Sequence, residues 1–185
     1  MSTFGLVPGA LVLYKIHPAL VSQVSDKIEI QLAGGKSKRV RDKDVTLLHP
    51  GPVQGLSSLQ APAPAVEEAW ELLEGEKVTL PELAEFLFGE YSPATAWGTW
   101  EVLQDGLWFE GDPQGIRRRS AEAVENERVA RDTRRRAAEE WDGFIARVGE
   151  GRLEDEDRKR LAEVERVALG AAEHSRILAA FEVPE

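Results

Sequence analysis

The sequence predicts an α+β chain in three consecutive parts, and three observations carry that prediction. The first fifty residues hold short runs rich in branched side chains and separated by turn signals. Residues 79 to 106 carry two helix-capping signatures, each followed by apolar residues three and four apart and each closed by a glycine. From Ser120 a helical pattern then continues to Val148. At 185 residues, 42% hydrophobic and 30% charged, the chain suffices for one ordinary domain or two or three very small ones.

Residues 1–50 read as a small SH3-like β-barrel. ALVLYKI, ALVSQV and DKIEIQL are strand-like segments divided at His17-Pro18 and Ser25-Asp26, and LAGGKSKRV turns over at Gly34-Gly35. In DKIEIQL the alternation puts Ile28, Ile30 and Leu32 on a buried face and Lys27, Glu29 and Gln31 on a wet one. The hairpin tip and the strand after it supply Lys36, Lys38, Arg39, Arg41 and Lys43. Two readings of this cluster stand side by side: a solvated edge strand kept soluble by its cations, or a contact for an RNA backbone. GGKS is not a phosphate-binding loop, because that pattern needs a glycine where Ile30 stands.

Residues 51–64, GPVQGLSSLQAPAP, are rich in Pro, Gly and Ser without periodicity and read as a linker. Residues 65–118 read as a winged helix-turn-helix. AVEEAWELLEG places Val66, Ala69, Trp70 and Leu73 on one helical face. In TLPELAEFLFG, Thr79 and Glu82 form a capping box, Pro81 occupies the first turn, and Leu83, Phe86 and Leu87 make the stripe. Ser92-Pro93 opens a third helix with Ala96, Trp97, Trp100 and Leu103 facing inward and Gly106 as its stop. LWFEG, the turn DPQG and the returning IRRR complete a hairpin, the wing.

A winged helix that reads DNA needs Arg, Lys, Asn or Gln at base edges with cations around them. Residues 79 to 111 contain no lysine or arginine. The outward face expected of the third helix shows Thr95, Gly98, Thr99, Glu101, Gln104 and Asp105, so acids would sit near phosphates. Nucleic-acid contact therefore belongs to the borders. From Arg117 to Arg136 there are 8 arginines against 4 acids. Arg117, Arg118, Arg119, Arg131, Arg134, Arg135 and Arg136 are the candidate phosphate contacts there. Glu127 and Arg131 at i,i+4 also suggest pairing within the helix. Tyr14 and Phe4 are candidates for base stacking, with burial as the alternative for both.

Residues 119–185 read as a helical segment. Its long helix, about 43 Å at 1.5 Å per residue, is exposed in its first half and carries the stripe Trp141, Phe144, Ile145 and Val148 in its second. A further helix after DEDRKR groups Leu161, Val164, Val167, Ala168 and Ala171. The run Glu154 to Asp157 reads as a helix start, where carboxylates suit the dipole.

Composition excludes several functions. With no cysteine there is no disulfide framework or thiolate metal site, and His17, His49 and His174 lack ligand-like spacing. No apolar run approaches the roughly 18 residues that a membrane span needs, and the N-terminus has no basic leader, so a cytoplasmic protein with no membrane partner is expected. The net charge of -10 is unevenly divided: +3 over residues 1 to 49, -11 over 50 to 116 and -2 over 117 to 185. Indiscriminate binding of polyanions is disfavoured, while local basic patches remain open.

The succession VTLPELAEFLFGEYSPATAWGTWEVLQDGLWFEGDPQGIRRRS, then EEWDGFIARV, then VERVALGAAEHSRIL resembles the N-terminal region of bacterial ribonuclease II family exoribonucleases. The branch resembled carries a winged helix where others carry cold-shock domains. The preceding residues LVLYKIHPALVSQVSDKIEIQLAGGKSKRVRDKDVTLLHPGPV are similar to the small barrel that starts that branch. The resemblance implies a parent 3'-5' exoribonuclease that hydrolyses single-stranded RNA to nucleoside 5'-monophosphates. It also implies magnesium held by aspartates of a downstream catalytic domain in the same polypeptide. This chain shows no counterpart to those aspartates, so on this reading it holds no cofactor, is inactive alone, guides RNA and packs against the other domains. The residues themselves leave two alternatives: a stand-alone winged-helix DNA-binding regulator, and a protein-interaction scaffold.

Overall fold

A computed structural model describes residues 6–181. The chain forms two compact units, Met1–Glu125 and Asn126–Glu185. Among the described residues no helix is long and apolar enough to cross a membrane.

The first unit begins with five strands, β1 (Leu11–Tyr14), β2 (His17–Val24), β3 (Ile28–Gln31), β4 (Ser37–Val40) and β5 (Val45–His49). They pair antiparallel in the order β4-β3-β2-β1-β5. No ladder joins β4 to β5, so hydrogen bonding does not close the sheet into the barrel that the sequence suggests. The first turn also falls at Lys15-Ile16 instead of His17-Pro18. Pro18 is tolerated within β2 because it pairs only with Leu13 of β1, while pairing with β3 starts at Leu20, so its missing amide breaks no second ladder.

The sheet is apolar on both faces. Val12, Ala19, Val21, Ile28, Ile30 and Val40 gather in one cluster, as the alternation in β3 predicts. Leu11, Leu13, Leu20 and Leu48 point the other way and join the helices in a second, larger core. Those helices are α1 (Val66–Leu72), α2 (Leu80–Phe88) and α3 (Pro93–Asp105), followed by the hairpin β6 (Phe109–Asp112) and β7 (Gly115–Arg118). Three helices and a hairpin are the winged helix-turn-helix arrangement. The expected caps are present: Glu82 accepts from the Thr79 amide at 2.7 Å and from its hydroxyl at 2.8 Å, and Ser92 accepts from the Thr95 amide. Leu80, Leu83, Leu87, Ala96, Leu103, Phe109 and Ile116 fill the centre. The Tyr91 hydroxyl ties the loop before α3 to β5 by donating to the Leu48 carbonyl.

The faces of α3 differ from the sequence expectation. Thr95, Gly98 and Thr99, expected outward, are buried, whereas Trp97 and Trp100 are only half-buried. The threonines can be buried because their hydroxyls find backbone acceptors: Thr99 donates to the Thr95 carbonyl at 2.8 Å and Thr95 to that of Glu90 at 3.0 Å. Gly98 is buried because the segment 51–64 crosses it. A Cβ there would stand 2.8 Å from the Ala61 Cβ and 2.9 Å from the Phe88 ring. Leu59 of the same segment is buried in the shared core.

The second unit contains most of α4 (Ala121–Gly149), with α5 (Asp157–Ala168) and α6 (Arg176–Ala180). The apolar stripe at the end of α4 reduces to one fully buried side chain, Phe144, flanked by half-buried Trp141, Ile145 and Val148. Ala168 and Ala171, grouped with the next helix by periodicity, are exposed, because α5 starts at Asp157 and gives out before Gly170 in the left-handed region (φ 67). A polar contact supplements this thin core. Asp157, 3% exposed, accepts from Arg147 Nε at 2.9 Å and from its terminal nitrogen at 2.8 Å, and also from the Glu154 amide at 3.1 Å. The Arg147 guanidinium first, and the Glu154 amide second, hold this carboxyl down at about 2.

Two outcomes are expected. Gly98→Ala forces the 51–64 segment or Phe88 to move, lowering stability by about 1–3 kcal/mol and speeding proteolysis within that segment; unchanged urea midpoints and cleavage rates would contradict the close approach. The depressed Asp157 contributes stability that is complete above the ordinary carboxylate range, near pH 4, and is lost as pH falls towards about 2. Asp157→Asn removes that contribution at neutral pH, which hydrogen exchange over α5 and α6 reads as faster exchange than in the parent.

Candidate nucleic-acid interface

The first basic group lies on and beside β4, the edge of the sheet, with Lys38 and Arg39 on the strand itself, Lys36 before it and Arg41 and Lys43 after it. An edge strand exposes its outer backbone, so cations there suppress pairing with other chains whatever else they do. Lys36, Lys38, Arg39, Arg41 and Lys43 are all exposed. Arg41 is engaged locally, with its Nε 3.0 Å from Asp44, and Arg39 lies across from Glu29 at 3.8 Å with its side chain 76% exposed. Exposed pairs of this kind contribute about 0–1 kcal/mol. Lys36 makes no ion pair among the described residues, and Lys43 lies close enough to Asp44 to help hold that carboxyl below its ordinary range, after Arg41. Lys38 carries its ammonium 5.1 Å from the centre of the Tyr14 ring, which leaves half-buried Tyr14 as a support for that lysine. Phe4 lies outside the described residues.

The second group divides by strand alternation. Arg117 points out of β7, opposite Glu110 in the register, and is exposed. Arg118 turns inward: its guanidinium donates to the Trp70 carbonyl at 3.2 Å, lies 3.0 Å from Glu74 and stacks 5.0 Å from the Trp70 ring. Arg119 donates to the carbonyls of Gly106 and Leu107, capping the end of α3, while its own carbonyl accepts from the Trp70 indole at 2.8 Å. Arg118 and Arg119 thus bind the wing to α1 and α3.

The third group lies along α4. Glu127 accepts from Arg131 at 2.9 Å, the i,i+4 pair read from the sequence, and from Arg134 at 2.9 Å. These two arginines hold the Glu127 carboxyl below its ordinary range. Asp132 takes both Arg135 and Arg136, the latter at 2.8 Å, and Arg135 also approaches Glu139 at 3.8 Å. Two acids, Glu127 and Asp132, therefore hold four arginines, three of which expose 67% to 72% of their side chains. The sequence reading stops at Arg136. Further cations, Lys159, Arg160, Arg166 and Arg176, surround Trp141; the overlooked signal is the seven-residue spacing of Lys159 and Arg166 on one face of α5.

Among the described residues no group of three or more His, Asp or Glu side chains could hold a metal ion. The run Glu154 to Asp157 starts α5, and its one buried carboxylate is bonded to Arg147.

These observations define an α+β protein with helix-turn-helix architecture and cations at its borders. Comparison with known families is more specific: the ribonuclease II helix-turn-helix family model, described as a double HTH domain, matches residues 124–185, the part that forms α4 to α6. A relative, the uncharacterized ribonuclease sll1290 of Synechocystis sp., is 31% identical over 121 residues, covering 60% of this chain. The chain spans 18% of that relative's length. No solved structure matches the chain significantly. The relation to the ribonuclease II family read from the sequence therefore stands, and this is a ribonuclease-related region.

The structural use of Arg118 has a measurable consequence. Arg118→Ala is expected to lower the melting temperature by removing the bonds to Trp70 and Glu74, while Arg117→Ala leaves stability within about 0.5 kcal/mol of the parent. Equal melting temperatures for the two variants would remove the distinction between inward and outward arginines.

Proposed function

We propose that this chain is the N-terminal, RNA-guiding and domain-packing region of a cytoplasmic 3'-5' exoribonuclease of the ribonuclease II family. The observation that carries this reading is the match of residues 124–185 to the ribonuclease II double HTH domain. The distribution of charge supports it. The cations lie at the edge of the sheet and along α4, while α3 exposes Glu101, Gln104 and Asp105. Beside them an apolar groove of about 740 Å³, floored by Phe88, Val102 and Trp108, suits protein packing. A DNA-reading regulator is disfavoured by those acids.

The described residues do not fit a magnesium site, since Asp157 is bonded to Arg147 and the neighbouring carboxylates are exposed. This reading therefore assigns hydrolysis of single-stranded RNA to nucleoside 5'-monophosphates to a downstream catalytic domain of the same polypeptide. Within this chain the chemistry is attraction of phosphates by exposed cations, sensitive to salt and tolerant of sequence.

The test is a titration of the full chain with labelled single-stranded RNA over a range of salt concentrations. Affinity is expected to fall linearly on logarithmic axes. Lys36→Gln/Lys38→Gln/Lys43→Gln is expected to reduce the slope by about 2, since each phosphate neutralised on a single strand adds about 0.7. Absence of salt-dependent affinity, or tighter binding of duplex DNA than of single-stranded RNA, would sink the reading.

A further inference from the structure

The second unit contains a cleft of about 810 Å³ between the far half of α4, α5 and the start of α6. Its volume lies within the range of ligand clefts. Five cations line it, Arg134, Lys159, Arg160, Arg166 and Arg176. Three acids oppose them, Glu140, Asp142 and Glu163, one of them paired with a cation of the cleft and one bonded to the start of α6. Glu140 lies 3.3 Å from Arg160. Glu163 accepts from the Ser175 hydroxyl at 2.7 Å and from the Ile177 amide at 3.1 Å, fixing the start of α6. Lys159 and Arg166 are exposed and have no acid partner among the described residues.

The cleft also has an aromatic floor. The Arg176 guanidinium lies 4.5 Å from the Trp141 ring, and that of Arg160 lies 5.4 Å from the Phe144 ring. The two rings brace each other with centroids 5.7 Å apart, and Phe144 is fully buried. A guanidinium held against a ring keeps its edge donors and its second face, so it can accept a stacked base while neighbouring cations take phosphates. A merely solvated helix face needs neither aromatic backing nor two cations without acid partners.

We propose that this cleft binds single-stranded RNA: Lys159 and Arg166 contact successive phosphates, and Arg176, backed by Trp141, stacks beneath a base. The inference rests on the RNA-guiding reading and adds a site separate from the cations of the β4 edge. Its ligand is a chain of nucleotides, and the same chemistry could come from a free nucleoside monophosphate.

The test uses the full chain with labelled oligo(A) at low salt, with AMP and inorganic phosphate as competitors. Lys159→Gln/Arg166→Gln is expected to weaken oligo(A) binding at least about tenfold and to lower the salt slope by about 1.4, two phosphates at about 0.7 each. Helix content by circular dichroism should not change, since both side chains are exposed. Oligo(A) should quench tryptophan emission in the parent and less in Trp141→Phe. Cross-links from 4-thiouridine RNA should map between residues 134 and 177. Binding by the parent that the double variant leaves unchanged would overturn the cleft while the RNA-guiding reading survives on the β4 cations. No binding by the parent would overturn both. AMP binding as tightly as oligo(A) would overturn the RNA assignment in favour of a free nucleotide.

Discussion

The first unit depends on how α3 is covered. Its buried side packs into the core shared with the sheet, and its small residue Gly98 lets the 51–64 segment cross it, with Ala61 where a side chain would otherwise stand. A helix covered in this way has little surface left to enter a groove. That is the physical reason why the third helix of a winged helix-turn-helix can lack cations: its burial serves the joint between sheet and helices. The outer remainder, Glu101, Gln104 and Asp105, offers no cation to a phosphate.

The same joint explains why the sheet is apolar on two faces. In β1, Val12 points into the sheet's own cluster while Leu11 and Leu13 point to the helices. A small sheet solvated on one face would leave those leucines wet; here the second face becomes the floor of the winged helix. The second unit solves the opposite problem. Its buried apolar set is small, so the ion pair of Arg147 with Asp157 and the cap made by Glu163 and Ser175 fix the helix ends. Removing one partner of such a pair leaves a buried group without its counterpart, which is costlier than breaking an exposed pair.

Much of this is legible in the sequence. The capping box at Thr79, the cap at Ser92, the alternation in β3, the length of α4 and the Glu127–Arg131 pair all rest on local rules, and local rules survive tertiary context. What fails is decided by long-range contact. Periodicity misjudges the face of α3 because it treats tryptophan as core and threonine as surface, whereas Thr95 and Thr99 satisfy their hydroxyls on nearby carbonyls and so go inside. The inward turn of Arg118 follows from strand alternation but also needs Trp70, 48 residues away. The cleft around Trp141 escapes a linear reading because its cations come from three helices that only folding brings together.

The arginines show how one residue type can occupy two different environments. Arg118 and Arg119 are inward, and their donors meet carbonyls and an indole ring that hold the wing in place. A phosphate would have to displace those contacts at a cost in folding free energy. Arg134, Arg135 and Arg136 instead pair with acids while most of each side chain remains in water. Such exposed pairs are worth about 0–1 kcal/mol each, comparable with the thermal energy of about 0.6 kcal/mol. These arginines are therefore far less committed to the fold than Arg118 and Arg119, and it is here that the proposed phosphate contacts would cost the fold least. Density of positive charge in the sequence is thus a poor guide to contact; the guide is how cheaply each cation can leave its partner.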